Sequence, residues 1–102
     1  MHSLKQKMNI MEKMEKLEAI DKIVRELEDL KNSETSVLKK VAQIEADNIN
    51  LDISLLAGRL PDIHEYSDKS VDAIDSLLND FTAYRGQFIK DNNLQPQESA
   101  VS

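Results

Sequence analysis

The chain contains no cysteine and no tryptophan, and its 102 residues include only two glycines and two prolines. Without thiols there are no disulfides, no thiolate catalysis and no zinc–thiolate sites. Two isolated glycines cannot build a glycine-rich phosphate loop. Aromatic residues are scarce: Tyr66, Phe81, Tyr84 and Phe88 all lie in the C-terminal half. The N-terminal half must therefore pack with aliphatic side chains and methionine, which is coiled-coil composition rather than that of a sheet core. No apolar run approaches the roughly 18 to 20 residues that span a bilayer, and the stretch from Met1 to Lys7 lacks the apolar centre of a signal peptide. The expectation is a soluble, cytoplasmic or otherwise intracellular protein of one domain, with no membrane span.

Charge is distributed unevenly. Residues 1–40 hold nine Lys and Arg against eight Asp and Glu, whereas residues 41–102 hold four against eleven, so most of the net charge of -6 lies in the second part. An acidic C-terminal region repels phosphate backbones, and a balanced N-terminal region gives them no basic footprint. Nucleic acid is not an expected partner.

Between Leu4 and Ala57 there is neither Pro nor Gly, and strong helix formers dominate. This predicts one long helix over about 4–57. Gly58 and Pro61 then read as the corner of a helical hairpin, the glycine ending the first helix and the proline opening the second. Ile63, Tyr66, Ile74, Leu77, Leu78, Phe81, Tyr84 and Phe88 recur mostly three or four apart, as on one face of an amphipathic helix over about 61–92. The polar stretch 67–70 is its weakest part, where a break or a fresh cap is conceivable. Residues 93–102 have no periodicity and little to bury, and are expected to be a disordered tail.

The first helix carries a heptad pattern. With Ile20 at position a, the a and d positions read Ile20, Ile23, Leu27, Leu30, Glu34, Val37, Val41, Ile44, Asn48, Leu51 and Leu55. Such 3-4 spacing keeps one seam facing a partner helix. Asn48 at an a position reads either as a register-setting polar group or as a partly exposed residue near a helix end. Upstream, Met8, Met11, Met14, Leu17 and Ile20 follow at steps of three, a local overwinding of the coil. In a parallel dimer Glu26 would face Lys31 and Lys40 would face Glu45, but Asp47 would meet Asp52. Val24 and Leu38 at e positions widen the apolar face beyond a two-stranded seam, so each helix is expected to touch more than one neighbour.

Length adds an argument. A helix over 4–57 would be about 80 Å long and one over 61–92 about 48 Å, so the second would leave the seam from Leu4 to Leu27 uncovered. The expected fold is all-α: a long heptad-bearing helix followed by an antiparallel second helix, with Ile74, Leu78, Phe81 and Phe88 completing the helix–helix interface. The alternative is a closed three-helix bundle, with a loop in residues 31–36 and Ser33 capping a new helix. Against it, the a/d phase passes through that stretch unchanged.

Little points to catalysis. His64 with Glu65 and Asp68 could share a helical turn as metal ligands, but a metal site needs converging ligands and a supporting shell, and a solvated histidine is the simpler reading. Asp68, Asp72, Asp75 and Asp80 read as a solvated face and do not form a calcium-loop pattern. The expectation is no enzyme and no cofactor. The chain would be an assembly or scaffold protein that contacts partner helices, its own or another protein's, and would be oligomeric. A small acidic adaptor, chaperone or inhibitor that binds one client protein is the alternative.

Overall fold

The computed structural model describes residues 9–94. Two long helices form a hairpin: α1, Ile10–Leu51, and α2, Ser54–Asp91. There is no strand among the described residues. No described helix is long and apolar enough to cross a membrane.

The start of α1 is set by a capping box. The Asn9 side chain accepts the Glu12 amide at 2.8 Å, and the Glu12 carboxylate accepts the Asn9 amide at 3.1 Å. Each satisfies a donor that the first helical turn leaves without a partner. The helix therefore begins at Ile10 rather than near Leu4. Met8 lies outside the described residues.

The break within residues 31–36 that a three-helix bundle requires does not occur, so the helix is continuous there as expected. α1 runs through it, and the Thr35 hydroxyl donates back to the Lys31 carbonyl at 2.8 Å. Lys31 itself reaches across to Asp75 Oδ1 at 2.6 Å. Ser33, the candidate cap of a new helix, lies exposed within the continuous helix. The stretch 67–70 is likewise continuous helix, and Ser67 is buried.

The corner is not at Gly58 to Pro61. It lies at Asp52 and Ile53, six residues earlier. Asp52 takes the left-handed conformation (φ 52°, ψ 44°), and its amide closes onto the Asn48 carbonyl at 2.7 Å. Aspartate tolerates this region better than most residues because its short polar side chain can bond locally. Gly58 and Pro61 sit inside α2, and Gly58 does not have a positive φ. Pro61 removes one helical hydrogen bond, but both it and Ala57, whose carbonyl loses its donor, are exposed, so water can satisfy that carbonyl.

Moving the corner changes the coverage. With helices of 42 and 38 residues, α2 reaches back almost the full length of α1. Arg85 pairs with Asp21, and the Lys16 ammonium lies 5.3 Å from the centre of the Phe88 ring. Leu17, Ile20 and Leu27 of the N-terminal seam are thus covered within the chain, contrary to the length argument.

At its far end α2 stops in a Schellman motif. Asn93 takes the left-handed conformation (φ 54°), its amide bonds the Lys90 carbonyl, and the Leu94 amide bonds the Ile89 carbonyl at 3.0 Å. Leu94 is buried. The first two residues of the expected disordered tail are therefore an ordered helix end; residues 95–102 lie outside those described.

Candidate functional site: an uncovered apolar face

The side chains of α1 turned toward α2 are Leu17, Ile20, Val24, Leu27, Lys31, Glu34, Leu38, Val41, Glu45 and Asn48, all buried or half-buried. Those of α2 are Leu60, His64, Ser67, Val71, Ile74, Leu78, Phe81, Arg85 and Phe88. Steps alternate between three and four in both helices. Val24 and Leu38, expected to widen the seam, are part of this inward row. Ile20, Leu27, Val41 and Asn48, from the expected a positions, are also inside it.

The expected d positions are not. Ile23, Leu30, Val37 and Ile44 are 38 to 45% exposed, and Leu51, which continues their seven-residue spacing, is 64% exposed. Leu55 and Met11 are exposed as well. On α2, Ile63, Leu77 and Tyr84 are exposed, with Ser70 filling the missing seven-residue step. Tyr84 of this row stacks on Phe81 of the inward row, with ring centres 5.6 Å apart.

These two rows share one side of the hairpin. Each exposed residue immediately precedes an inward one: Ile23 before Val24, Leu30 before Lys31, Ile63 before His64, Leu77 before Leu78. One residue is a rotation of about 100° on an α-helix, and since the chain reverses at the corner, equal offsets on the two helices fall on the same side. That side is an aliphatic and aromatic face two helices wide. It has no cover within the described chain.

The opposite side is polar. It carries Asp21, Glu28 and Thr35 from α1 and Asp68, Asp75 and Thr82 from α2, and two of its carboxylates, Asp21 and Asp75, are paired across the hairpin. Arg85 donates to Asp21, Lys31 to Asp75, and His64 Nδ1 lies 2.7 Å from Glu45 Oε1. Lys31 is therefore engaged within the chain rather than with Glu26 of a parallel partner. His64 does not gather Glu65 and Asp68, and no group of three or more His, Asp or Glu converges among the described residues. Near the corner an open groove of about 260 Å³ is lined by Glu45, Asn48, Ile49, Asp52, Ala57, Leu60 and Pro61.

Asn48 has a function that spacing alone did not reveal. Its side-chain amide donates to the Ile53 carbonyl at 3.1 Å and accepts the Ile53 amide at 3.0 Å, and it is 7% exposed. The signal was present in the run Asp47-Asn-Ile-Asn-Leu-Asp52, whose Asn and Asp residues favour turns.

No side chain among the described residues is completely enclosed, which is what two helices without a further layer allow. No family model, curated protein or solved structure matches the chain.

Proposed function

We propose that this protein is a non-enzymatic assembly or scaffold subunit, an antiparallel coiled-coil hairpin that works by presenting its apolar face to further helices. The observation that carries this reading is the row Ile23, Leu30, Val37 and Ile44, exposed at seven-residue intervals beside Ile63, Leu77 and Tyr84. Scattered exposed aliphatics are ordinary on a protein surface, but a periodic row on two adjacent helices has the pattern of a bundle layer. Stability supports the same reading. A hairpin with no fully enclosed side chain gains little from packing, and covering one broad face adds the missing layer.

The test is a surface substitution. Leu30→Glu with Val37→Glu places charge on the exposed row while leaving the inward row intact. The expected result is a chain that stays helical but loses association with itself and with any stoichiometric protein recovered by the parent from native extract. A parent that is monomeric, cooperatively folded and recovers nothing the variant fails to recover would refute the proposal. Recovery of one basic client, released as salt rises, would favour the acidic adaptor instead.

A further inference from the structure

We infer that the apolar face is closed by a second copy of this chain, laid on it with the two corners at opposite ends, so that α1 of one copy runs against α1 of the other about a twofold axis near Ser33. The inference rests on the reading above and names the occupant.

Size is the first argument. From Ile23 to Ile44 the exposed row is about 32 Å long, and two helices are about 20 Å wide. The face thus offers about 640 Å² per copy, or roughly 1,300 Å² in total, at the lower end of stable protein interfaces. A single helix would cover half of it. A second hairpin covers both rows.

Symmetry is the second. Reversed about a point beside Ser33, the α1 row meets itself with Ile23 over Ile44 and Leu30 over Val37. Because Lys31 pairs with Asp75, the level of Ser33 on α1 is that of Ala73 on α2. Reversal about Ala73 sets Ile63 over Tyr84 and Ser70 over Leu77, so a single axis serves both helices. The residues at that axis, Ser33 and Ala73, are small and exposed, which allows close approach.

Charge chooses the register. The outer rim of the face on α1 carries Glu26, Ser33, Lys40 and Asp47, and on α2 Arg59, Tyr66, Ala73, Asp80 and Gln87, all exposed. In the proposed arrangement Glu26 meets the second copy's Lys40 twice, Tyr66 meets Asp80, and Arg59 meets Gln87. No like charges are opposed. Sliding by seven residues sets Glu26 against Asp47 in one direction and Glu12 against Asp47 in the other. Placing the corners together sets Glu26 against Asp80. Neither Glu26 nor Lys40 has an ion-pair partner among the described residues. The net charge of -6 on each copy opposes any self-association at long range, so added salt should tighten the dimer by screening that repulsion. A basic client would show the reverse.

The absence of cysteine from the 102-residue chain makes the arrangement directly testable. Ser33→Cys should give a covalent dimer with a short thiol-to-thiol cross-linker, whereas Asp47→Cys should not, since the two copies' Asp47 would lie about 42 Å apart along the axis. By sedimentation equilibrium the parent should be a dimer. Glu26→Lys should weaken it roughly three- to tenfold, and Glu26→Lys with Lys40→Glu should restore it. A parent that stays monomeric at every concentration and salt overturns self-pairing alone; the assembly function falls only if the Leu30 and Val37 test fails too. A dimer in which Ser33→Cys does not link, while mixed Asp47→Cys and Arg59→Cys copies do, overturns the corner-opposed arrangement.

Discussion

The side-chain amide of Asn48 pairs with both backbone polar groups of Ile53, closing the hairpin corner from within the last turns of α1. A buried asparagine in a heptad seam is ordinarily explained by a partner asparagine on another helix. Here its donor and acceptor are both spent locally. Asn48→Leu would suit an ordinary apolar seam position, yet it leaves the Ile53 amide and carbonyl without these partners. We expect Asn48→Leu and Asn48→Ala each to cost about 1 to 3 kcal/mol in thermal or urea unfolding. An unchanged midpoint for Asn48→Leu would show that the corner does not depend on this pair.

Gly58 and Pro61 test where the chain turns. A methyl group added at Gly58 meets nothing within 4 Å. Gly58→Ala in a helix interior should stabilise by about 0.5 to 1 kcal/mol. Pro61→Ala restores a missing helical bond and should stabilise by about 1 to 3 kcal/mol. If the chain turned at Gly58 instead, both changes would lower the melting temperature.

The inward and outward rows should respond differently to truncation. Leu17 is 3% and Val41 6% exposed, so alanine at either should cost about 1 to 4 kcal/mol by urea unfolding. That loss should persist at every protein concentration. Val37→Ala, on the outward row, should matter chiefly through association, and its effect on melting temperature should fade on dilution.

Asn93 and Leu94 should hold the end of α2. Asn93→Gly keeps the left-handed conformation without strain, whereas the β-branched Asn93→Val resists it. We expect glycine to be neutral and valine to cost about 1 kcal/mol, with faster amide exchange in the last turn from Phe88 onward. Equal exchange in both variants would show that the motif contributes nothing.

The cross-hairpin ion pairs should be weak. Lys31 and Asp75 are 38% and 43% exposed at their side chains. A double-mutant cycle with alanine at both should give a coupling of about 0.2 to 1 kcal/mol, falling with salt. A much larger value would mean that the pair is more shielded than its exposure indicates.

The helical class, the span of α1 through residues 31–36 and the amphipathic run of α2 were legible because each rests on local propensity and a seven-residue repeat, which accumulate along the chain. The corner was misplaced for a physical reason. Gly and Pro are the strongest turn residues on average, but a helix can carry both where the backbone is exposed to water, and Asn48 with Asp52 satisfied the turn six residues earlier. That shift made the two helices nearly equal in length. Their equality moved the uncovered surface from the N-terminal end to one side.

Composition and periodicity by themselves determined that this chain is helical, that it cannot span a membrane as a helix in the described region, and which residues are apolar enough to form a seam. They could not divide that seam. Ile20, Ile23, Leu27 and Leu30 form one stripe on an isolated helix, and nothing local distinguishes the residues that will face α2 from those left beside it. The tertiary structure made that division by setting the rotation of α1 against α2. Leu27 went inside and Leu30 outside, because the apolar arc of each helix is wider than a single neighbour can cover.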